Sequence, residues 1–435
     1  MEYQQRNSWA PVAVVTSLFF MWGFITVLVD SLIPRLREIF ELSYFEAGLV
    51  QFAFFIAYGL VSIPSGWLLA RIGYKNGMLV GLATMGLGCL LFWPAAGLRM
   101  FPLFMLGYFI LASGMTVLQV AANPYVAVLG DERGASSRLN MAQAFNSVGT
   151  TIAPIIGATF LLSDQIHSGA DILRMGIMEK ETYYAQEAAA VQGPFIVLAG
   201  ALLLLALFVA LVHLPKILDT QHSGTYAEVL RKGRLVRGAI GIFLYVGAEV
   251  AIGSYLVNYF LSMDLAEVVR NNDTLASISA TLLGRDLATV DAKGVVGAFV
   301  ALYWGGAMVG RFVGSYLTKA FKPATVLALF GMFAIMFVLF SINTSGILAM
   351  GTILGVGLFN SIMFPTIFTL SIEGLGSLKP QASGILCTAI VGGAVIPPLL
   401  GLLADGYGFK VAFILVVACY AYIAYFAWRE QRDFE

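Results

Sequence analysis

The segment PKILDTQHSGTYAEVLRKGRLVR (215–237) is the most basic and polar stretch near the middle of the 435-residue chain. On either side of it, the sequence alternates between long apolar runs and short polar breaks. A membrane-spanning helix needs about 20 apolar residues, and the runs reach that length. Six runs precede the segment and six follow it. We therefore predict a cytoplasmic linker, 215–236, between an N-terminal bundle, 1–214, and a C-terminal bundle, 237–435.

The composition is that of a membrane protein, with 59% hydrophobic and only 11% charged residues and a mean hydropathy of +0.85. Soluble domains carry about 25% charged residues, and disordered chains are polar, so both classes are excluded. We predict an all-α polytopic membrane protein with twelve transmembrane helices. The predicted spans are 10–34, 45–70, 76–96, 100–129, 139–163, 191–213, 237–261, 294–319, 323–342, 345–372, 381–404 and 409–428.

Lysine and arginine are distributed unevenly between the two sets of loops. Sixteen of the 25 lie on the side that holds both termini and the central linker, and nine lie on the other side. The side with more lysine and arginine is usually cytoplasmic. We expect a multi-pass protein of the inner (plasma) membrane, surrounded by lipid, with both termini in the cytoplasm.

Several kinds of chemistry are excluded. The 25 basic and 25 acidic residues balance, so no nucleic-acid partner is expected. Three cysteines, all inside apolar runs, predict neither a disulfide framework nor a metal site. The sequence has no P-loop and no nucleophile elbow. We expect a monomer without enzyme activity and without a cofactor, with Na⁺ left open as a coupling ion.

Residues recur at similar offsets in the two halves. Gln119 and Pro124 in the fourth span match Asn360 and Pro365 in the tenth, 241 positions later. A glycine–proline pair of the fifth span recurs 243 positions later in the eleventh. These offsets predict two pseudo-symmetric six-helix bundles, an architecture typical of transporters that work by alternating access.

Two carboxyl groups lie inside predicted spans. Asp30 is near the outer end of span 1, and Glu249 is near the middle of span 7. An ionisable group in hydrocarbon is costly, so it usually faces a cavity or a partner. We predict that both bind the coupling ion, either a proton or sodium. Alternatively, Asp30 pairs with nearby Arg35 or Arg37, and Glu249 is a structural acid.

Five amide side chains lie in predicted spans 4, 5 and 10: Gln119, Asn123, Gln143, Asn146 and Asn360. The first two are four residues apart and share one helix face. Amides both donate and accept hydrogen bonds, which suits the hydroxyl groups of a sugar. The alternative is hydrogen bonding between helices, a common use of amides in membranes. We favour a polar cavity that binds a sugar.

Trp22 on span 1 and Trp304 on span 8 are candidates to stack on the apolar face of a sugar ring. The alternative is packing or lipid contact, because aromatic residues make up 13% of the chain.

Four charged residues at predicted cytoplasmic helix ends suggest a gate. Arg71 and Lys75 follow span 2, and Arg311 lies in the corresponding part of span 8. Glu373 ends span 10 and is expected to pair with a cytoplasmic arginine.

The Gly66–Lys75 loop resembles the signature loop of the major facilitator superfamily, with Ala70 in place of its usual acid. The strings LFWPAA (91–96), LQVAANPYVAVLG (118–130) and SRLNMAQAFNSVGTT (137–151) resemble the fucose–proton symporter family. LYVGAEVAIGSYLVNYF (244–260), together with a glutamine at 119, is similar to the glucose/galactose permease branch of that family.

This resemblance implies twelve helices in two bundles, a central sugar site and cation-driven uptake. Asp30 matches the essential span 1 aspartate of the fucose type, and Gln143 and Asn146 match sugar contacts. Gln119 stands where the fucose type has its essential glutamate, and an amide cannot carry a proton. Glu249 is absent from the fucose type, so we expect it to have taken over the coupling role.

We predict a secondary active importer of a glucose- or galactose-like hexose, working by cation-coupled symport. The alternative substrates are fucose and an N-acetylated hexosamine. Two rival functions are a drug–proton antiporter on the same fold and a sugar sensor that does not transport.

Overall fold

The computed structural model describes residues 9–39, 44–160, 175–217 and 224–432, and these residues form helices and connecting turns without a β-strand. The helices of the first half are α1 (Trp9–Ile39), α2 (Tyr44–Gly97), α3 (Phe101–Val128), α4 (Ala135–Phe160), α5 (Ile177–Leu211) and α6 (Tyr226–Leu230). Those of the second half are α7 (Gly233–Leu261), α8 (Leu265–Arg270), α9 (Asp273–Leu283), α10 (Ala292–Gly297), α11 (Val300–Ala320), α12 (Pro323–Asn343), α13 (Gly346–Asn360), α14 (Met363–Ile372), α15 (Lys379–Thr388), α16 (Gly392–Tyr407) and α17 (Phe409–Arg432).

The long helix α2 is two helical segments joined at Gly73. This residue has φ 78° and ψ 168°, a conformation that glycine adopts without the steric penalty of a Cβ atom. The apolar part of α2 runs over Phe52–Gly97, about twice the length that crosses a bilayer. It therefore supplies spans 2 and 3, with the break between them as predicted.

Ten helical segments of the described residues are long and apolar enough to cross a membrane. One of them is the double-length segment of α2. The fifth predicted span corresponds to α4, which is not among the ten. Its amides and hydroxyl groups lower its hydropathy. With α2 counted as two spans and α4 included, the prediction of twelve helices is confirmed.

Two compact units are formed, one by residues 1–130, 145–229 and 374–388 and the other by 131–144, 230–373 and 389–435. The start of α4 thus packs within the second unit, and α15 packs within the first. The predicted boundaries at 214 and 237 describe a repeat in the sequence and stay a prediction.

In the first unit, glycines bring α2 and α3 into backbone contact. A Cβ atom on Gly114 would lie 2.5 Å from the backbone nitrogen of Met85, and one on Gly81 would lie 2.7 Å from that of Leu118. Membrane helices approach this closely where small residues meet. The contact fixes the register of α3, which carries two of the predicted amides.

In the second unit, α11 and α13 make a similar approach. A Cβ atom on Gly357 would lie 2.1 Å from the carbonyl oxygen of Tyr303, and one on Gly310 would lie 2.3 Å from that of Leu358. This packing sets the position of Tyr303 and of Arg311, which follows Gly310.

All three cysteines are free and buried, within α2, α15 and α17: Cys89, Cys387 and Cys419. The thiols are at most 1% exposed, so they are part of the apolar packing.

Candidate functional site

The second unit holds an ion pair between Glu249 on α7 and Arg311 on α11. Glu249 Oε1 lies 3.8 Å from Arg311 Nη2, and the side chains are 13% and 15% exposed. A charge-assisted hydrogen bond is shorter, about 2.7–2.9 Å. The two charges are therefore close enough to attract each other but are not joined by a strong hydrogen bond.

Tyrosine and amide groups surround this pair. The hydroxyl of Tyr245, one helical turn before Glu249, faces its carboxylate. The Tyr303 hydroxyl donates to the backbone oxygen of Glu249 at 3.3 Å and accepts from Nδ2 of Asn360 at 2.7 Å. Together these side chains form a cluster of buried polar residues, which we call the Glu249 cluster: Glu249, Arg311, Tyr245, Tyr303 and Asn360.

Arg311 is held from a second side, because its Nε donates to the backbone oxygen of Ser361 at 3.2 Å. The sequence placed Arg311 with the gate residues and did not pair it with Glu249. The structure instead brings the two together across helices. Whether Arg311 also acts in gating stays a prediction.

Asn360 and Trp304, two predicted sugar contacts, lie in and beside the Glu249 cluster. Asn360 is fully buried, and its Oδ1 has no hydrogen-bond partner among the described residues. The Trp304 ring is T-shaped against that of Tyr303, with centroids 5.1 Å apart, and Trp304 is 44% exposed. Their contact with a sugar stays a prediction.

In the first unit, Gln119 and Asn123 lie one turn apart on α3 and are 5% and 0% exposed. Within the described ranges, Gln119 Oε1 has no hydrogen-bond partner, and the Asn123 amide has only the weakly bonding thiol of Cys387 beside it. A buried polar group without a partner costs about 1–3 kcal/mol. Such groups call for a partner that protein atoms do not supply, and the hydroxyl groups of a sugar are suitable.

Asn146 on α4, unlike Gln119 and Asn123, forms a hydrogen bond to the backbone of another helix. Its Nδ2 donates to the backbone oxygen of Phe19 on α1 at 2.8 Å. Its backbone oxygen lies 2.3 Å from where a Cβ atom on Gly23 would be. This is the hydrogen bond between helices that the sequence left as the alternative for amides.

The remaining two predicted sugar contacts, Trp22 and Gln143, lie in different units. Trp22 lies in the first unit on α1, half-buried, with its ring 5.6 Å from that of Phe19. Gln143 is buried in the second unit. Asp30 belongs to α1, but its side chain lies outside the described part of the structure.

Arg71 and Lys75 flank the break in α2. The Arg71 guanidinium lies 3.6 Å from the centroid of the Trp67 ring. Lys75 Nζ donates to the carbonyl oxygens of Ala210 and Val212, both at 2.8 Å. Lysine is favourable there because the last carbonyls of a helix have no helical donor.

Glu373, just after α14, pairs with Arg234 at 3.1 Å. Arg234 also lies 2.6 Å from Glu430 of α17, and Glu430 lies 2.9 Å from Arg237. Burial raises the pKa of the Glu373 carboxyl above its usual range, and the Arg234 charge opposes that shift.

The residues that sequence reasoning missed are Arg234, Glu430 and Tyr245. The spacing of Tyr245, four residues before Glu249, was the one available signal.

The model of the Major Facilitator Superfamily matches residues 13–389. The chain belongs to this superfamily.

Relatives in the superfamily match over nearly the whole chain. A "Glucose/galactose transporter" of Brucella abortus is 45% identical and aligns with 97% of this chain and 94% of its own length. The "L-fucose-proton symporter" of Escherichia coli is 34% identical over 98% and 94% of the two chains.

Among solved structures of the superfamily, a crystal structure of the E. coli fucose:proton symporter superimposes with a TM-score of 0.86. It is 30% identical and covers 98% of this chain and 99% of the other. The predicted resemblance and fold class are confirmed.

Proposed function

We propose that this protein carries a hexose of the glucose or galactose type across the membrane by cation-coupled symport. The observation that carries the proposal is the full-length similarity to the Brucella transporter, at 45% identity. The similarity to an L-fucose-proton symporter is lower, at 34%. We therefore favour a glucose- or galactose-like substrate over fucose.

The buried amides of Gln119 and Asn123 in the first unit support a polyhydroxyl substrate. Gln119 and Asn123 are adjacent on one face of α3 and present both donors and acceptors. A hydroxyl group of a sugar can donate to one amide oxygen and accept from a neighbouring amide nitrogen. An apolar drug would leave these groups unsatisfied, which speaks against the drug–proton antiporter.

We propose that Glu249 carries the coupling proton. Protonation removes the negative charge of Glu249 and with it the attraction to Arg311. Binding of the coupling proton therefore changes the net charge of the Glu249 cluster. A sodium ion needs several oxygen ligands around it and would lie next to the guanidinium, which repels it. The relatives named proton symporters give further support.

The orientation in the membrane is a proposal of the same kind. The excess of lysine and arginine around the linker supports cytoplasmic termini in the inner membrane, with sugar moving inward.

The test is uptake of labelled glucose and galactose by the purified protein in liposomes, first under a proton gradient and then under a sodium gradient. We expect accumulation above equilibrium under the proton gradient alone. In Glu249→Gln we expect accumulation to be lost while exchange of labelled for unlabelled sugar remains, because a neutral side chain mimics the loaded state.

The matched control is Glu267→Gln, the same change at an exposed residue of α8, which should accumulate sugar normally. Accumulation under sodium alone would contradict proton coupling. Absence of flux for either hexose would contradict the proposed substrate. Normal accumulation by Glu249→Gln would move the coupling role to another group, with Asp30 the next to test.

A further inference from the structure

A cavity of about 320 Å³ lies in the first unit, between the break in α2 and the chain that follows α5. This volume corresponds to about ten water molecules at about 30 Å³ each, more than a phosphate group needs. Its lining includes three basic side chains: Arg71, Lys75 and Lys216. His213 lies beside them.

The walls of this cavity that the structure describes carry positive charge and no acidic side chain to balance it. Among the described residues that line it, none is an aspartate or a glutamate. Ala70, the residue before Arg71, is uncharged and 3% exposed. Cations that converge on a concave surface without a counter-charge attract anions.

Hydrogen-bond donors are held in place around the cavity. Lys75 is fixed by its two bonds to Ala210 and Val212, and an ammonium group has three donors, so one remains. Helical geometry resumes after Gly73, and the first backbone N–H groups of a helix have no acceptor within it. Those of Tyr74, Lys75 and Asn76 belong to residues that line the cavity.

We propose that this cavity binds a phosphate group. Three cations, one of them the fixed ammonium of Lys75, together with several backbone donors match a tetrahedral anion with several acceptor oxygens. The phosphate can belong to the headgroup of an anionic phospholipid or to a soluble phosphate compound of the cytoplasm. The site is separate from the amides and from the Glu249 cluster, so it does not depend on the proposed transport function.

Two features favour the lipid as the source. Trp67, beneath the Arg71 guanidinium, is 50% exposed, and tryptophan is typical of the membrane interface. The cavity also lies on the face predicted to be cytoplasmic, where anionic lipids concentrate.

The test uses the full-length protein in nanodiscs of equal parts phosphatidylglycerol and phosphatidylcholine. Native mass spectrometry after release counts the lipids that stay bound. We expect retention of phosphatidylglycerol over phosphatidylcholine. In the double variant Arg71→Gln/Lys216→Gln we expect that preference to fall about fivefold for each charge removed.

The matched control is Lys232→Gln, the same charge change at an exposed residue of the second unit on the same predicted face, which should keep the preference. Lys216→Arg should also keep it, because the charge is retained. Thermal unfolding and size-exclusion profiles exclude variants that fail to fold.

A second measurement follows the binding of radiolabelled inorganic phosphate in pure phosphatidylcholine nanodiscs. Binding that the double variant loses would identify a soluble phosphate compound as the ligand. A lipid preference without phosphate binding would identify the headgroup. Absence of both, or an equal loss in Lys232→Gln, would overturn the proposal.

Discussion

The pairing of Glu249 with Arg311 makes a quantitative prediction for stability. At 3.8 Å and an effective dielectric constant of about 20, two unit charges attract by about 4 kcal/mol. Both side chains are largely buried, so solvent screens little of this. Removing one partner leaves the other buried and uncompensated, which costs about 3–5 kcal/mol, whereas removing both is close to neutral.

We therefore expect Arg311→Gln and Glu249→Gln each to lower the free energy of unfolding by about 3 kcal/mol, and the double variant to recover most of that loss. The assay is equilibrium unfolding in mixed detergent–SDS micelles for all four proteins of the cycle. The expected coupling energy, which is the sum of the two single losses minus the small loss of the double variant, is about 4–6 kcal/mol.

The control cycle uses Glu267 and Arg270, two exposed residues three apart on α8. Exposed pairs couple by less than about 1 kcal/mol. A coupling energy for Glu249 and Arg311 as small as that of the control would refute the ion pair and with it the proposed effect of protonation on the cluster.

Three further predictions concern backbone approach, backbone conformation and pH. Gly357→Ala should lower stability by about 1–3 kcal/mol, because the new methyl group would lie 2.1 Å from the Tyr303 carbonyl oxygen. The control is Gly351→Ala, which has open space around it and should not lower stability. Thermal unfolding compares the two variants. Gly73→Ala also has open space, but its φ of 78° and ψ of 168° lie in a region that is essentially restricted to glycine, so a loss of about 1–3 kcal/mol in SDS unfolding is expected from the backbone alone. Because burial disfavours the ionised form of Glu373, its protonated form favours folding. Its contribution should fall as the pH rises from the unfolded value near 4.5 through the raised pKa, and Glu373→Gln should remove that part of the pH dependence.

Hydropathy predicted the number of helices and most of their positions, because each span must bury its backbone groups in hydrocarbon regardless of its neighbours. The break between spans 2 and 3 was also readable, since a glycine followed by polar residues interrupts the apolar run at Gly73. These features depend on local sequence alone.

The partners of the polar side chains were not predictable in this way. Asn123 and Asn146 are both amides inside spans, yet Asn123 lies beside the Cys387 thiol of α15, whereas Asn146 donates a hydrogen bond to the backbone of α1. Glu249 on α7 meets Arg311, 62 positions later in the chain, because α7 packs beside α11, where a Cβ atom on Gly253 would lie 2.8 Å from the Trp304 ring. Such contacts follow from helix packing, which a single sequence does not specify.

The burial of Cys89, Cys387 and Cys419 has a practical consequence for spectroscopy. Thiol reagents react with exposed thiolates, and a thiol in an apolar environment is largely protonated and inaccessible. A cysteine introduced at an exposed position, for example Lys232→Cys, would therefore be the preferred target of a maleimide fluorophore or spin label on the native background. Distances between labelled positions can then be followed during transport without first replacing the three native thiols, whose side chains are part of the helix packing.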